Sequence, residues 1–153
     1  MRRSDKEIKN SEKIKWVLQE AKILRISFSE NNQPYLVPMN FGYRDKCIYL
    51  HSAPAGKKID ILQKNNRVCF EADIQTEFVE DSKPCNSGMR YYSVIGFGRA
   101  HFLEEVKDKK DALNVIMKKY TSQSSFEYSQ ADLERVTVIK VEIDQLTGKK
   151  SGY

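Results

Sequence analysis

The chain has 153 residues, of which 40% are hydrophobic and 31% are charged, and its formal net charge is +5. A chain of this length can bury a core without disulfides or metals, so we expect one domain over residues 1–153. It contains no apolar run near the ~20 residues that cross a bilayer and no signal peptide, which predicts a cytoplasmic protein without a membrane partner. The basic residues are scattered among 21 acidic ones. This distribution argues against a nucleic-acid-binding stripe.

The cysteine and histidine content argues against a metal site. The three cysteines, Cys47, Cys69 and Cys85, form no Cys-x-x-Cys pair, and only His51 and His101 are available beside them. No zinc spacing can be assembled from these residues. We therefore predict no bound metal and no thiol chemistry.

The first part of the chain predicts a helix followed by a β-hairpin. Ser4-x-x-Glu7 has the form of a capping box, and apolar residues recur at helical spacing over residues 11–21. Apolar and polar residues then alternate over 22–29, and residues 30–33 have turn composition.

The return strand of this hairpin, residues 34–43, contains two prolines. Proline removes a hydrogen-bond donor from the sheet, so the strand should lie at an edge or at a bulge. A bulge would leave backbone groups near Met39 and Asn40 free to bind a planar heterocycle. A kinked strand without a ligand is the alternative.

A third strand over residues 47–52 leads into a helix over 56–65. The junction combines Ser52, the flexible Gly56 and the two lysines Lys57 and Lys58. The first turn of a helix has unpaired N–H groups, so this junction predicts a phosphate site. A single glycine excludes a Walker A loop and a dinucleotide fingerprint, which favours a smaller monophosphate ligand. The alternative is that both lysines form a solvated helix face.

The second half predicts more strands than helices. Strands are expected over residues 67–74, 91–103 and 137–144, a long loop over 76–90, and a helix over 107–120. Ser129 is placed to cap a further short turn. Gly96 and Gly98 fall on one face of their strand, either for a close approach or, as we favour, for sharp coiling in a barrel. Six strands and few helices predict a small closed or split barrel of mainly β (α+β) class, with peripheral helices.

Several segments together resemble the FMN-binding split-barrel proteins, the pyridoxamine 5′-phosphate oxidase-like group, and within it the nitroimidazole-resistance (Nim-type) flavoproteins. The resemblance covers nearly the whole chain. The matching segments are residues 34–43, 51–53, 56–60, 65, 68–71, 93–98 and 147–149. The resemblance implies a six-stranded split β-barrel and a homodimer with one FMN in each of two clefts between the subunits.

The resemblance also implies a set of site residues. Contacts to the isoalloxazine ring would come from Pro38, Met39, Asn40 and Phe41, largely through the backbone. Contacts to the phosphate would come from Ser52, Lys57 and Lys58. His51 would lie beside the flavin as the catalytic residue, and Tyr92, Ser93 and Lys149 would close the site, some of them from the second subunit.

The function implied is an FMN-dependent, nitroreductase-like oxidoreductase. It would take electrons from NADH or NADPH and reduce a small aromatic acceptor such as a nitroimidazole, another nitroaromatic or a quinone. Two departures from the pattern bear on the substrate: no Arg-x-His follows Arg135, and Tyr92 stands where the Nim-type pattern favours arginine. The alternatives are a non-catalytic flavin- or haem-binding protein and a pyridoxamine 5′-phosphate oxidase-like enzyme.

Overall fold

A computed structural model describes residues 3–153, in which eight strands form one antiparallel sheet and four α-helices pack against it. The strands are β1 (Glu7–Ile8), β2 (Leu24–Glu30), β3 (Gln33–Met39), β4 (Gly42–Arg44), β5 (Cys47–Ser52), β6 (Arg67–Val79), β7 (Gly88–Leu103) and β8 (Thr137–Ser151). The helices are α1 (Ser11–Glu20), α2 (Lys57–Lys64), α3 (Val106–Tyr120) and α4 (Gln130–Glu134).

The strand order is β3-β2-β6-β7-β8-β5-β4, and β1 pairs with β8. Alternating apolar residues of these strands point to one side and bury a core that contains Ile26, Phe28, Phe70 and Ile139, against which α1 and α2 pack. A second cluster, which includes Tyr49, packs α3 and α4 on other parts of β5 and β8. With 46% of the chain in strands, this is the predicted split barrel of α+β class with peripheral helices.

The number of strands differs from the predicted six for two reasons. The single strand predicted over residues 34–43 is divided, because β3 ends at Met39 and β4 begins at Gly42. The two-residue strand β1 pairs with Gly148 and Lys149 of β8. As predicted, β3 lies at an edge of the sheet, but it has no bulge, since its pairing with β2 is regular from Met39 to Gln33.

The predicted capping box does not begin a helix. Ser4–Lys6 is a 3-10 turn and Glu7 belongs to β1, so the first α-helix starts later, at Ser11. Its N-cap is Asn10, whose side-chain oxygen accepts hydrogen bonds from the N–H groups of Glu12 and Lys13 at 2.8 and 3.2 Å. The cap that forms is the one next to the apolar periodicity. The other predicted cap, at Ser129, is confirmed as a capping box with Asp132.

The loop predicted over residues 76–90 is too long. Strand β6 extends to Val79 and β7 begins at Gly88, so both ends of this segment belong to a β-ribbon and only residues 80–87, with a 3-10 turn at Pro84–Asn86, lie outside the strands. The pairing shifts between Ile74 and Glu77, where Gln75 has a positive φ of 52°. This bulge displaces the alternation of side chains, which explains why the sequence lacks a regular period there. The last strand is also longer than predicted, because β8 continues to Ser151.

Gly96 and Gly98 allow a close approach, which was one of the two predicted alternatives, and the approaching atoms belong to the protein itself. A Cβ at Gly96 would overlap the Phe70 ring, and a Cβ at Gly98 would overlap the carbonyl oxygen of Glu142. The β7–β8 pairing shifts at Gly98. Protein atoms therefore occupy the space that the missing side chains leave.

We expect Gly98→Ala to lower the free energy of unfolding by about 1–3 kcal/mol, because the backbone of β8 cannot turn away from the added methyl group. The urea midpoint of unfolding measures the change. Gly88→Ala is the matched control in the same strand, since a Cβ there has no neighbour within 4 Å in the described part of the chain. Equal midpoints for the two variants would contradict this account of Gly98.

Across residues 3–153, none of the helices combines the length and the apolar character needed to cross a membrane.

Candidate functional site

The junction between β5 and α2 presents a group of unpaired hydrogen-bond donors. Ser52, the last residue of β5, is 6% exposed, and its buried Oγ has no hydrogen-bond partner among residues 3–153. Gly56 is the N-cap of α2, and its φ of 127° is readily adopted only by glycine. Its carbonyl oxygen accepts from the N–H groups of Ile59 and Asp60, and no side chain caps the helix start. The N–H groups of the first two helical residues, Lys57 and Lys58, are thus free for an anion.

Two lysines add positive charge at this junction. The Lys57 ammonium lies 4.7 Å from the centroid of the Tyr35 ring, so the start of α2 lies beside β3. Lys58 is half-buried. The helix start thus carries Lys57 and Lys58, follows Ser52 closely in the chain, and lies beside β3, the strand that contains Pro38.

His51 lies on the opposite face of β5 from Ser52, because adjacent residues of a strand point to opposite sides. The side chain is half-buried. Burial lowers the pKa of His51, and the nearby charge of Lys58 lowers it further. The imidazole is therefore held neutral near pH 7, with one ring nitrogen as donor and the other as acceptor.

The titration of His51 predicts a pH dependence of stability. Its folded pKa lies below the ordinary value of 6.5, so between these two values the unfolded chain binds more protons than the folded one. Stability should therefore fall as the pH drops through about 6.5 and level off below the folded pKa. Urea unfolding of the wild type and of His51→Gln between about pH 5 and 8 measures how stability changes with pH in each protein. This range extends roughly one unit or more to either side of the ordinary pKa. The slope should be smaller in His51→Gln than in the wild type; equal slopes in the two proteins would contradict the assignment.

The residues predicted to contact a flavin ring differ in their exposure. Met39 and Phe41 are buried, whereas Pro38 and Asn40 are exposed. The N–H of Phe41 donates a hydrogen bond to the hydroxyl of Tyr120 at 2.9 Å. Pro38 and Asn40 are thus the members of this segment whose side chains a ligand can reach, and the Phe41 amide is already used within the chain.

Tyr92, Ser93 and Lys149 do not lie together. Ser93 and Lys149 are directly opposite each other in the β7–β8 pairing and point outward from the barrel. Tyr92 points to the other face, where its ring meets Trp16 edge to face at 5.4 Å and stacks on Tyr153 at 4.7 Å. The sequence reasoning missed this aromatic cluster, because its members come from three distant segments of the chain.

A second feature that the sequence reasoning missed is an apolar patch on the outside of the barrel. Leu36, Ser27, Cys69 and Phe97 are in register across β3, β2, β6 and β7 and form one row. Ile95 lies beside this row and points the same way. Leu36, Ile95 and Phe97 are all exposed in the single chain. We call these five residues the outer row.

The chain is similar to known proteins in its family and in its structure. The family model described as pyridoxamine 5′-phosphate oxidase matches residues 10–150. A search of curated proteins gave no match.

Three solved structures illustrate the likeness. A candidate 5-nitroimidazole antibiotic resistance protein from Bacteroides thetaiotaomicron is 36% identical, with a TM-score of 0.85 over 94% of this chain and 86% of that one. A flavocytochrome from Azotobacter vinelandii is 17% identical, with a TM-score of 0.87 over 100% of this chain and 72% of that one. An FAD- and haem-binding protein from Mycobacterium smegmatis is 15% identical, with a TM-score of 0.88 over 97% and 74%. The last two show a shared fold only.

The family model spans nearly all of the chain, and the Bacteroides protein is similar in both sequence and structure. The chain therefore belongs to the pyridoxamine 5′-phosphate oxidase family.

Proposed function

We propose that the protein binds FMN and uses it to reduce a small aromatic acceptor with electrons from NADH or NADPH. The observation that carries the proposal is the buried, unpartnered hydroxyl of Ser52 at the uncapped start of α2, where Lys57 and Lys58 add charge. A buried donor without a partner is costly unless a ligand completes it. A phosphate supplies acceptor oxygens and negative charge, and both suit this site.

The residues at hand fit a flavin monophosphate. Ser52 would donate its O–H to the phosphate, while the N–H groups and the ammonium groups of Lys57 and Lys58 would surround it. The ring would lie towards β3, where Pro38 and Asn40 are exposed. The flavin, when bound, supplies the transfer of two electrons between a reduced nicotinamide and an acceptor.

His51 would act on the acceptor. Its neutral imidazole offers an N–H that can hydrogen-bond to an oxygen on which negative charge develops. Burial, and in second place the charge of Lys58, lower the pKa of His51 and keep the imidazole neutral near pH 7. The similarity to a candidate nitroimidazole resistance protein supports a nitroaromatic acceptor. Residues 136–153 contain no Arg-x-His, so this stretch does not supply that pair for pyridoxamine phosphate.

A second subunit would complete the cleft. The outer row places exposed apolar side chains on adjacent strands of one face, and such patches on a folded chain commonly mark an interface. Ser93 and Lys149 point outward from the same side of β7 and β8. They would thus be able to reach a partner's cleft, whereas Tyr92, on the other face, would not.

Location in the cytoplasm remains a prediction.

The test is the visible spectrum and the cofactor of the purified protein. We expect flavin absorption, and FMN among the small molecules released by heat. Under anaerobic conditions, NADH or NADPH should bleach the flavin absorption band, and a nitroaromatic or a quinone should then restore it. A Soret band in place of the flavin band would favour the alternative of a haem-binding protein. Efficient production of pyridoxal phosphate would favour the pyridoxamine 5′-phosphate oxidase alternative.

A further inference from the structure

The C-terminal end of α3 contacts the 39–41 segment, which joins β3 to β4. The Tyr120 hydroxyl accepts a hydrogen bond from the N–H of Phe41 at 2.9 Å and donates one to the carbonyl oxygen of Lys22 at 2.9 Å. Burial raises the pKa of Tyr120, so the hydroxyl stays protonated and able to donate. One hydroxyl thus joins the 39–41 segment to the connection between α1 and β2.

Lys119 contacts the same segment. Its ammonium lies 3.2 Å from the centroid of the Phe41 ring and donates a hydrogen bond to the carbonyl oxygen of Leu18 at 2.6 Å. That carbonyl is among the last four of α1, which have no partner within the helix. A cation over an aromatic face is attractive, more so when it is partly desolvated. Burial lowers the pKa of Lys119 to about 7, so the amine carries its full charge only below that pH. The Phe41 ring is therefore held between the core and the end of the Lys119 side chain.

The backbone of α3 also touches the residue that follows. A Cβ at Gly42 would lie 2.8 Å from the backbone nitrogen of Ile116, so only a glycine permits this approach. Two consecutive residues, Phe41 and Gly42, are thus fixed by the same helix. The conformation of the 39–41 segment is set from outside the segment itself.

We propose that Tyr120 and Lys119 are positioning residues that hold the 39–41 segment in the conformation that binds the flavin ring. The inference rests on the proposed function, in which Pro38 and Asn40 lie against the ring. Neither Tyr120 nor Lys119 needs to touch the ligand. Without the Tyr120 hydroxyl, the Phe41 N–H has no partner in the described chain and the segment gains other conformations. The apparent dissociation constant then rises in inverse proportion to the fraction that remains competent to bind.

The experiment compares three ligands on Tyr120→Phe, which keeps the ring and removes the hydroxyl. FMN, riboflavin and lumiflavin share the isoalloxazine ring, but only FMN carries the phosphate. We expect all three dissociation constants to rise by the same factor, about two- to tenfold, because the variant loses the hydrogen bond that holds the Phe41 N–H, together with the one to the Lys22 carbonyl oxygen. The absorption bands of the bound flavin should also shift, since the ring's surroundings change.

The matched control is Tyr128→Phe. The Tyr128 hydroxyl is also buried, but it has no hydrogen-bond partner among residues 3–153, and its ring packs in the second cluster. This variant should leave the three constants and the spectrum unchanged. Urea midpoints of both variants separate a general loss of stability from an effect on the ring site, because a protein that stays folded binds normally if only its stability has changed.

A second variant, Lys119→Gln, keeps a donor for the Leu18 carbonyl and removes the amine over Phe41, which is charged below its pKa of about 7. It should also raise the three dissociation constants by one common factor. It replaces Tyr120→Phe as the test variant if Tyr120→Phe does not fold. Unchanged constants and spectrum, or a rise for FMN alone, would overturn the inference while leaving the proposed function intact. A wild type that binds none of the three flavins would overturn both.

Discussion

Lys58→Ala is expected to raise the dissociation constant for FMN about tenfold to a hundredfold, because a hydrogen bond to a charged group is worth about 1.5–3 kcal/mol. Lys58 lies at the uncapped start of α2 and is half-buried, so water screens its charge from a bound phosphate only in part. Riboflavin lacks the phosphate and should bind the wild type more weakly than FMN does. It should lose little further affinity in the variant. Fluorescence titration of both ligands into both proteins isolates the phosphate contact as a double cycle.

Lys64→Ala is the matched control, since Lys64 lies at the other end of the same helix and pairs with Glu30 at the surface. It should leave both affinities unchanged. The position of Lys58 can also be checked without a ligand, because its charge contributes to the lowered pKa of His51. That pKa, followed by NMR, should rise in Lys58→Ala. If FMN and riboflavin lose affinity equally, Lys58 supports the fold and does not bind the phosphate.

The parts of the fold that local sequence determines could be predicted. The hairpin between β2 and β3 turns at Asn31 and Asn32, which have φ values of 50° and 62°. Asparagine is a common residue at such positive φ values, so the turn is readable from the sequence. The β6–β7 ribbon could not be read in the same way. Its bulge at Gln75 depends on the register in which β6 pairs with β7, and the shifted alternation of side chains resembles the pattern of a loop.

The candidate site shows the same difference between features set by local sequence and features set by tertiary packing. Ser52, Gly56, Lys57 and Lys58 could be predicted as a group because they follow one another closely in the chain. The structure has the predicted helix start, with Gly56 as the N-cap and Lys57 and Lys58 as the first helical residues. Tyr92 and Ser93 were grouped by resemblance, yet the two-residue period of a strand places them on opposite faces. The support of Phe41 by Tyr120 spans 79 residues and arises only from tertiary packing.

Phe97→Glu is expected to abolish the dimer and, with it, most of the flavin binding. Phe97 is 50% exposed in the single chain and ends the outer row on β7. If this face is the interface, two-fold symmetry brings the new carboxylates of both subunits into it, where unpaired like charges cost several kcal/mol. The folded subunit should survive, because the side chain is not part of the buried core. Light scattering with and without FMN, together with circular dichroism, measures both effects.

Val106→Glu is the matched control, because Val106 is 44% exposed but lies at the start of α3, outside the outer row. Glutamate is favourable in the first turn of a helix, so this variant should keep both the dimer and the flavin. If light scattering gives a monomer mass for the wild type with FMN bound, the proposed interface is wrong. A Phe97→Glu dimer that retains FMN would show that the subunits meet on another face. Loss of the dimer with FMN affinity unchanged would mean that one subunit forms the whole flavin site, and that the outward-facing Ser93 and Lys149 do not serve a partner's cleft.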